Sequence, residues 1–319
     1  MGKMKAFITG AAGFIGSNFV NRELSNPDSK FSQILAFDSL TYAGSWSKIN
    51  PVKSDVKLEM ITGDIRNSNQ LTESIQGSDI VIHFAAESHV DRSINSSQIF
   101  METNVLGSHN VFEAARLNGV KTVIHVSTDE VYGSLESASA TEESRLLPNS
   151  PYAASKASSD LLARAMFETY DQDIRITRCV NNYGINQNNE KLIPKMIENL
   201  NLNKKIPIYG DGSNIRTWIH VNDHCEAILK VIHSGKAGHI YNIGTDVELS
   251  NLNLAKIIIN LMGKSHDSIE FVTDRLGHDY RYSVSSSKIY TECGFKPTID
   301  FELGIKDLIS RSVATRFAN

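Results

Sequence analysis

The stretch Lys5-Ala6-Phe7-Ile8-Thr9-Gly10-Ala11-Ala12-Gly13-Phe14-Ile15-Gly16 decides the fold. It reads as a short buried strand, a glycine-rich turn and the first turns of a helix that runs on through Leu24. Glycines at 10, 13 and 16 permit a tight turn and a close approach of backbone to a bound group. The helix N-terminus that follows offers free N–H groups and a favourable dipole to an anion such as a pyrophosphate. The spacing is GxxGxxG rather than GxGxxG, and glycines also end strands for structural reasons alone. Its place between strand and helix gives the motif its weight.

Outward from this turn, apolar runs recur at Ile34–Phe37, Leu58–Ile61, Ile80–Ala85, Thr122–Val126 and Ile174–Thr177. Helical patterns over Phe14–Leu24, Gln98–Leu117 and Tyr152–Tyr170 separate most of them. Buried strands alternating with helices predict an α/β fold, a Rossmann-type doubly wound parallel sheet covered on both faces. After Cys179 the pattern changes. Residues 181–190 are rich in Asn and aperiodic, and read as a loop. Then come a helix over Leu192–Leu200 with Pro194 in its first turn, a strand at Ile206–Tyr209 and a helix over Val221–His233. A strand at His239–Gly244 returns to the main sheet, and helices follow at Leu252–Met262 and near Phe301–Val313. The expected division is 1–180 plus about 217–244 for a dinucleotide-binding domain. Residues 181–216 plus 245–319 form a smaller C-terminal α/β substrate-binding region over the strand ends.

Of 319 residues, 41% are hydrophobic and 21% charged, which supports a large core and disfavours disorder. A net charge of -4 lacks the basic footprint of a nucleic-acid binder, so no such partner is expected. Cys179, Cys225 and Cys293 are odd in number and scattered, which fits free thiols in a reducing cytosol. The start MGKMK runs straight into the apolar strand without a signal-peptide pattern, and Ala6 stands where a myristoylation motif needs Ser or Thr. No apolar run reaches membrane-spanning length. The expectation is a cytoplasmic protein with no membrane partner.

Asp38 ends the second strand. A carboxylate there accepts from both ribose hydroxyls of NAD and repels a 2′-phosphate, so NAD is favoured over NADP, with a loop-capping aspartate as the competing reading. Asp64-Ile65 after the third strand would bracket the adenine. Phe84-Ala85-Ala86 after the fourth supplies small residues where a dinucleotide passes, or simple helix–strand packing.

Tyr152 and Lys156 are four apart at the start of a helix and so share a face. The ammonium is expected to bring the phenol from about 10 toward neutrality, making Tyr152 a base toward a hydroxyl being oxidised. Ser127-Thr128 ends the fifth strand, and Asp129-Glu130 follows at the carboxyl edge of the sheet. Two adjacent carboxylates are unnecessary for hydride transfer. They make sense if a proton leaves one carbon and a hydroxyl leaves the next, whereas a lone pair elsewhere would simply cap a loop.

Together these features resemble the short-chain dehydrogenase/reductase superfamily in its extended, nucleotide-sugar branch. Thr128-Asp129-Glu130-Val131-Tyr132-Gly133 resembles the signature of dTDP-glucose 4,6-dehydratases. Further matching stretches run in order along nearly the whole chain. They include Asp38–Gly44, Gly63–Arg66, His83–Ser93, Ser150–Ala157, Thr177–Cys179, Asn181–Gly184, Glu190–Pro194, Tyr209–Gly212, Tyr241–Gly244 and Asp274–Asp279.

The resemblance implies a catalytic set of Thr128, Asp129, Glu130, Tyr152 and Lys156. Tyr152 takes the 4-hydroxyl proton, Thr128 bonds the same oxygen, Glu130 removes the C5 proton and a protonated Asp129 serves the departing 6-hydroxyl. It implies bound NAD held by Gly10, Gly13, Phe14, Ile15, Gly16, Asp38, Asp64, Ile65, Phe84, Ala85, Ala86, Tyr152, Lys156 and Asn182. A nucleotide-diphosphate sugar would meet Ser88, Arg92, Thr128, Asn181, Lys191 and Leu192. Arg216 and Arg275 would clamp the diphosphate, Pro207 and Tyr209 would flank the base, and Asn251 and His278 would lie nearby. It also implies a homodimer joined through helices around Gln98–Leu117 and Tyr152–Tyr170.

Three departures stand out. Ile185-Asn186-Gln187-Asn188-Asn189 replaces a Pro-Tyr-Gln stretch, Arg216-Thr217-Trp218 replaces Arg-Asp-Trp, and Gly244-Thr245 replaces Gly-Gly. They bear on the loop over the sugar and leave the catalytic set intact. His220, His224 and Cys225 lack an evident third ligand for tetrahedral coordination, so no metal is expected. A 5,6-dehydratase, a UDP-sugar 4,6-dehydratase and a 4-epimerase remain as alternatives on the same fold, and a non-catalytic NAD sensor as one from another class. An epimerase needs no carboxyl pair, and a sensor would not need the intact set.

Overall fold

The computed structural model describes residues 2–317. Alternate residues of the first strand, β1 (Met4–Thr9), face opposite cores. Ala6 and Ile8 pack with Phe19, Val20 and Ile34, while Phe7 packs with Leu35, Phe37 and Val81. That two-sided burial is why the strands read as continuous apolar runs. The remaining strands are β2 (Phe31–Asp38), β3 (Lys57–Thr62), β4 (Ile80–His83), β5 (Thr122–Thr128), β6 (Ile174–Cys179), β7 (Asn181–Tyr183), β8 (Ile206–Tyr209), β9 (Ile215–His220), β10 (Ile240–Ile243), β11 (Glu248–Ser250) and β12 (Ile269–Val272).

Seven of them form one parallel sheet in the order β10-β6-β5-β4-β1-β2-β3. This is the doubly wound order, with the reversal of direction between β1 and β4. The carboxyl ends of β1, β4 and β5 therefore open into one crevice. The returning strand expected near 240 is β10, at the edge beside β6.

A third apolar core lies in the second half of the chain. Ile193, Met196, Ile197 and Leu200 of the helix Leu192–Asn201 meet Leu254, Ile258 and Ile259 of the helix Asn251–Leu261. Two small sheets accompany it, β11-β9-β7 and β12-β8. The expected loop at 181–190 is therefore partly a strand. Asn181, Asn182 and Tyr183 pair with Trp218, Ile219 and His220 of β9, and this pairing overrides the weak strand preference of Asn.

The expected helix over Gln98–Leu117 also differs. It begins at Gln98–Phe100, widens into a π-helical turn at Met101–Gly107 and resumes at Ser108–Leu117. The buried Asn104 in that turn accepts from Glu87 N at 2.8 Å and donates to Glu87 O at 2.9 Å and Ser155 Oγ at 2.8 Å. The wide turn thus ties the segment after β4 to the helix that carries Tyr152 and Lys156. Among the described residues, no helix is long and apolar enough to cross a membrane.

Candidate active site

The crevice is lined by Gly10, Gly13, Phe14, Ile15 and Gly16, by Asp38, Asp64 and Ile65, and by Phe84, Ala85 and Ala86. Thirteen of the fourteen residues expected to hold a dinucleotide line it, since Tyr152 and Lys156 do so as well. Gly10 has φ +66°, and a Cβ there would stand 2.6 Å from Ala85 N. A Cβ on Gly16 would stand 2.2 Å from Gly10 O. The helix Phe14–Ser25 has Gly13 at its N-cap and no side-chain cap, so its first N–H groups are left to a ligand. Asp38 is buried at the rim. Its Oδ2 accepts from Ala12 N at 2.9 Å and its Oδ1 from Leu40 N at 2.8 Å, so the same carboxylate also fixes the glycine turn. Asp64 is gripped by the guanidinium of Arg66, which holds its carboxyl below the usual range. These features fit NAD.

Asn182 is the exception. Its Nδ2 donates to Val180 O at 2.9 Å, its Oδ1 meets His224 Nδ1 at 2.9 Å, and it stands outside the crevice lining. The β7–β9 pairing turns it inward, and Gln187, Asn188 and Glu190 occupy the rim instead. This segment is fastened along its length. Asn18 Nδ2 donates to Ile185 O at 2.9 Å, Asn186 Nδ2 to Ser17 Oγ at 3.3 Å and Lys48 O at 3.2 Å, and Gln187 Nε2 to Asn182 O at 2.8 Å. At its end Glu190 pairs with Arg92 at 3.0 Å, and Arg92 lies 3.8 Å over the ring of Tyr42. Sequence reasoning left out Gln187 and Asn188, both of which line the crevice. The signal was the departure from the family pattern at 185–189.

Beyond β5 the backbone tightens into a 3-10 turn over Asp129–Tyr132, N-capped by the Thr128 side chain. Thr128 Oγ1 accepts from Glu130 N at 3.3 Å. Burial pushes Asp129 up to about 8, helped by the charge of Glu130. Burial also raises Glu130, but Arg275, Arg216 and Lys191 oppose that rise. The two neighbouring carboxyls thus stand in different surroundings, one beside its neighbour's charge and the other facing three cations.

Tyr152 and Lys156 are both buried and line the crevice, as their spacing requires. The expected coupling between them takes another form. Lys156 Nζ donates to Val126 O at 2.9 Å, and the Tyr152 phenol is raised rather than lowered, first by burial and then by Glu130. Desolvation beside carboxylates outweighs the ammonium, which is aimed at a backbone carbonyl. Burial lowers Lys156 itself to about 8.

The residues expected to meet a substrate fall into two groups. Ser88, Lys191 and Arg92 adjoin the crevice, with Lys191 Nζ donating to Ser88 O at 2.7 Å. Tyr209, Arg275 and His278 gather around Asp91 and Asp274. Arg275 stands 3.5 Å from Asp91, His278 Nδ1 2.6 Å from Asp274, and the Tyr209 and His278 rings meet edge-on at 6.2 Å. Pro207 precedes them on β8, paired with Glu270. Arg216 is buried over the Tyr282 ring, with Nη2 donating to Asp279 O at 3.0 Å. Asn251 opens its helix, buried. Asn181 pairs with Trp218, and Leu192 packs on the third core. Four buried polar atoms of these sets have no hydrogen-bond partner: Asp129 Oδ2, Glu130 Oε2, Asn251 Oδ1 and Arg275 Nε. Such atoms are costly unless a ligand satisfies them. His220 caps its helix and His224 holds Asn182.

The family model described as GDP-mannose 4,6 dehydratase matches residues 7–308. A dTDP-glucose 4,6-dehydratase of Streptomyces niveus is 44% identical over 308 residues, 96% of this chain and 92% of that protein. The structure of the dTDP-glucose 4,6-dehydratase DesIV from Streptomyces venezuelae, solved with NAD bound, superposes with a TM-score of 0.93 at 46% identity, covering 98% of each chain. A UDP-N-acetylglucosamine 4-epimerase from Methanobrevibacter ruminantium shares the fold at 26% identity and a TM-score of 0.88, over 99% of this chain and 100% of that one. The chain belongs to the GDP-mannose 4,6 dehydratase family and, within it, to the dTDP-glucose 4,6-dehydratases.

Proposed function

We propose that the protein is an NAD-dependent hydro-lyase that converts dTDP-glucose to its 4-keto-6-deoxy product. One observation carries the reading: a carboxyl held near 8 directly beside a second carboxyl that faces three cations, at the end of β5. Acid and base assignments follow from environments that separate two such groups. An epimerase has no use for them.

Tyr152 takes the proton of the sugar 4-hydroxyl, with Thr128 bonding the same oxygen. Because the phenol is raised in the free site, Lys156 on the same helix face and the positively charged ring of bound NAD would together have to bring it down to a phenolate. Bound NAD supplies the hydride acceptor at C4 and the hydride donor at C6, so it is regenerated in each cycle. The 4-ketone acidifies the C5 proton; Glu130 removes it and gives it back to C5 as the hydride arrives at C6. Asp129 still carries its proton at neutral pH and gives it to the departing 6-hydroxyl. Arg275, through its unpaired Nε, and Arg216 hold the diphosphate, where a planar guanidinium matches phosphate oxygens.

Residues 1–180 with about 217–244 serve the dinucleotide, and the remainder serves the sugar nucleotide. The exposed Leu106, Leu117 and Leu161 on the helices expected at a homodimer seam support that assembly. Three free, buried cysteines fit a cytoplasmic setting.

Incubating the protein separately with dTDP-glucose and UDP-glucose, and weighing the products by mass spectrometry, tests the reaction. Loss of one water, faster with the thymidine nucleotide, is expected. An unchanged mass with both, while NAD remains bound, overturns the reading.

A further inference from the structure

Asp160 lies one helical turn beyond Lys156 on the helix Pro151–Tyr170 and is as buried as the lysine. No step of the proposed reaction uses it. It is nevertheless held on several sides. Oδ2 accepts from Arg178 Nε of β6 at 2.8 Å, and Oδ1 faces His125 Nε2 of β5 at 3.3 Å. Arg178 Nη1 donates to the Tyr132 hydroxyl at 2.9 Å, and that hydroxyl donates to Asn242 Oδ1 of β10 at 2.7 Å. The carboxylate is thereby paired to β6 through Oδ2, while Oδ1 lies beside β5 without a hydrogen-bond partner and Arg178 extends the network to β10.

Several charged or titratable groups surround the Tyr152–Lys156 pair. His83 of β4 and His125 of β5 both face Lys156, and burial lowers both, His125 to about 4, so neither carries charge at neutral pH. Glu130 and Asp129, in the turn after β5, and Asp160 itself all act on Tyr152, each raising its phenol. Arg178 of β6 is occupied by Asp160. Asp160 is left as the charge that opposes the desolvation of Lys156.

We propose that Asp160 is a positioning residue for the Tyr152–Lys156 pair: its clamped carboxylate keeps Lys156 an ammonium directed along the Val126 carbonyl into the crevice. The role rests on the reaction proposed above. A nearby opposite charge moves a pKa by roughly 1–3 units. Without it, a lysine already lowered to about 8 loses its proton near neutrality and no longer balances the phenolate.

Three variants test this: Asp160→Asn, Asp160→Glu, and Asp160→Asn combined with Arg178→Met. The double variant removes the buried guanidinium that the single change strands, so it remains readable where the single variant folds poorly. kcat and KM for dTDP-glucose are measured against pH. Retention of NAD through gel filtration is followed over the same neutral-to-alkaline range, which reads the lysine without turnover. The alkaline limb of kcat moves toward acid by about one pH unit or more in Asp160→Asn, with KM little changed and NAD released at lower pH. Asp160→Glu restores both profiles, and the double variant keeps the displacement while recovering thermal stability. Asp129 titrates in the same range, but its surroundings are Glu130, Thr128 and Arg216, so these changes leave it in place. A limb that coincides with the wild type in Asp160→Asn, or that returns to it in the double variant, overturns the role. A wild-type protein that leaves the sugar nucleotide untouched overturns the reaction instead, and the NAD-retention profiles still decide whether Asp160 governs Lys156.

Discussion

The hydroxyl of Thr128 donates to Oδ1 of Asp129 at 3.2 Å, where β5 gives way to the 3-10 turn. The other oxygen, Oδ2, is buried and has no partner. One side of the carboxyl is thus oriented by its neighbour, and the other is left without a partner, as the proposed transfer to a leaving hydroxyl requires. Asp129→Asn keeps the shape and removes the transferable proton. Elimination is expected to slow by roughly a hundred- to ten-thousand-fold, the usual worth of a positioned general acid. Oxidation at C4 should persist, and quenched reaction mixtures analysed by mass spectrometry should contain a 4-keto-glucose nucleotide that still carries its 6-hydroxyl. Unchanged turnover removes Asp129 from the mechanism.

The same carboxyl sets a pH dependence of stability. Its folded-state value of about 8 lies above the unfolded value of 3.8. The folded protein therefore binds this proton more tightly than the unfolded chain does. The associated stability is fully present below about pH 4 and is lost as pH rises through about 8. Thermal melts between about pH 4 and pH 8 should show the wild type declining more steeply than Asp129→Asn. Parallel curves would remove the linkage.

Gly16→Ala places a methyl 2.2 Å from Gly10 O and 2.9 Å from Ala11 Cα. Both obstacles are backbone, so the glycine turn must move. A loss of about 1–3 kcal/mol is expected from such overpacking, together with a protein that no longer retains NAD. Chemical denaturation and cofactor content after purification measure the two. A variant that keeps its NAD sinks the close-approach argument.

Asp38→Asn tests cofactor choice. The amide keeps an acceptor for Ala12 N or Leu40 N but no longer repels a phosphate on the ribose. NAD affinity should fall by about tenfold, the worth of one charge-assisted hydrogen bond, and NADP binding should become measurable by calorimetric titration. Undiminished NAD selectivity would leave Asp38 as a loop anchor only.

Much of this architecture can be read from the chain before any coordinates. The inner strands of the large sheet are buried on both faces, so Ala6-Phe7-Ile8 and Ile80-Val81-Ile82 stand out as short apolar runs, whereas the edge strand β3 is mostly exposed. β7, β9 and β11 are short and rich in Asn, Arg, Thr and Ser, and what makes them strands is a partner distant in sequence. The catalytic residue types stood out because their chemistry is unusual at a strand end. The aim of each side chain did not. Asn182 turns inward to His224, Lys156 meets a backbone carbonyl, and Asn104 widens a helix into a π turn. Each outcome depends on packing across the molecule, which spacing along one helix or strand does not encode.

The fastened segment from Ile185 to Glu190 bears on how such an enzyme would answer to the cell. Tethers to Asn18, Ser17 and Lys48, and the Arg92–Glu190 pair at its end, fix this segment at the rim of the crevice. An oxidant held this way is a built-in part rather than a second substrate. A dinucleotide kept in place and regenerated in each cycle, as proposed above, would not exchange with the oxidised and reduced pool of the surroundings. Output then follows the supply of sugar nucleotide and is insulated from the metabolic redox state.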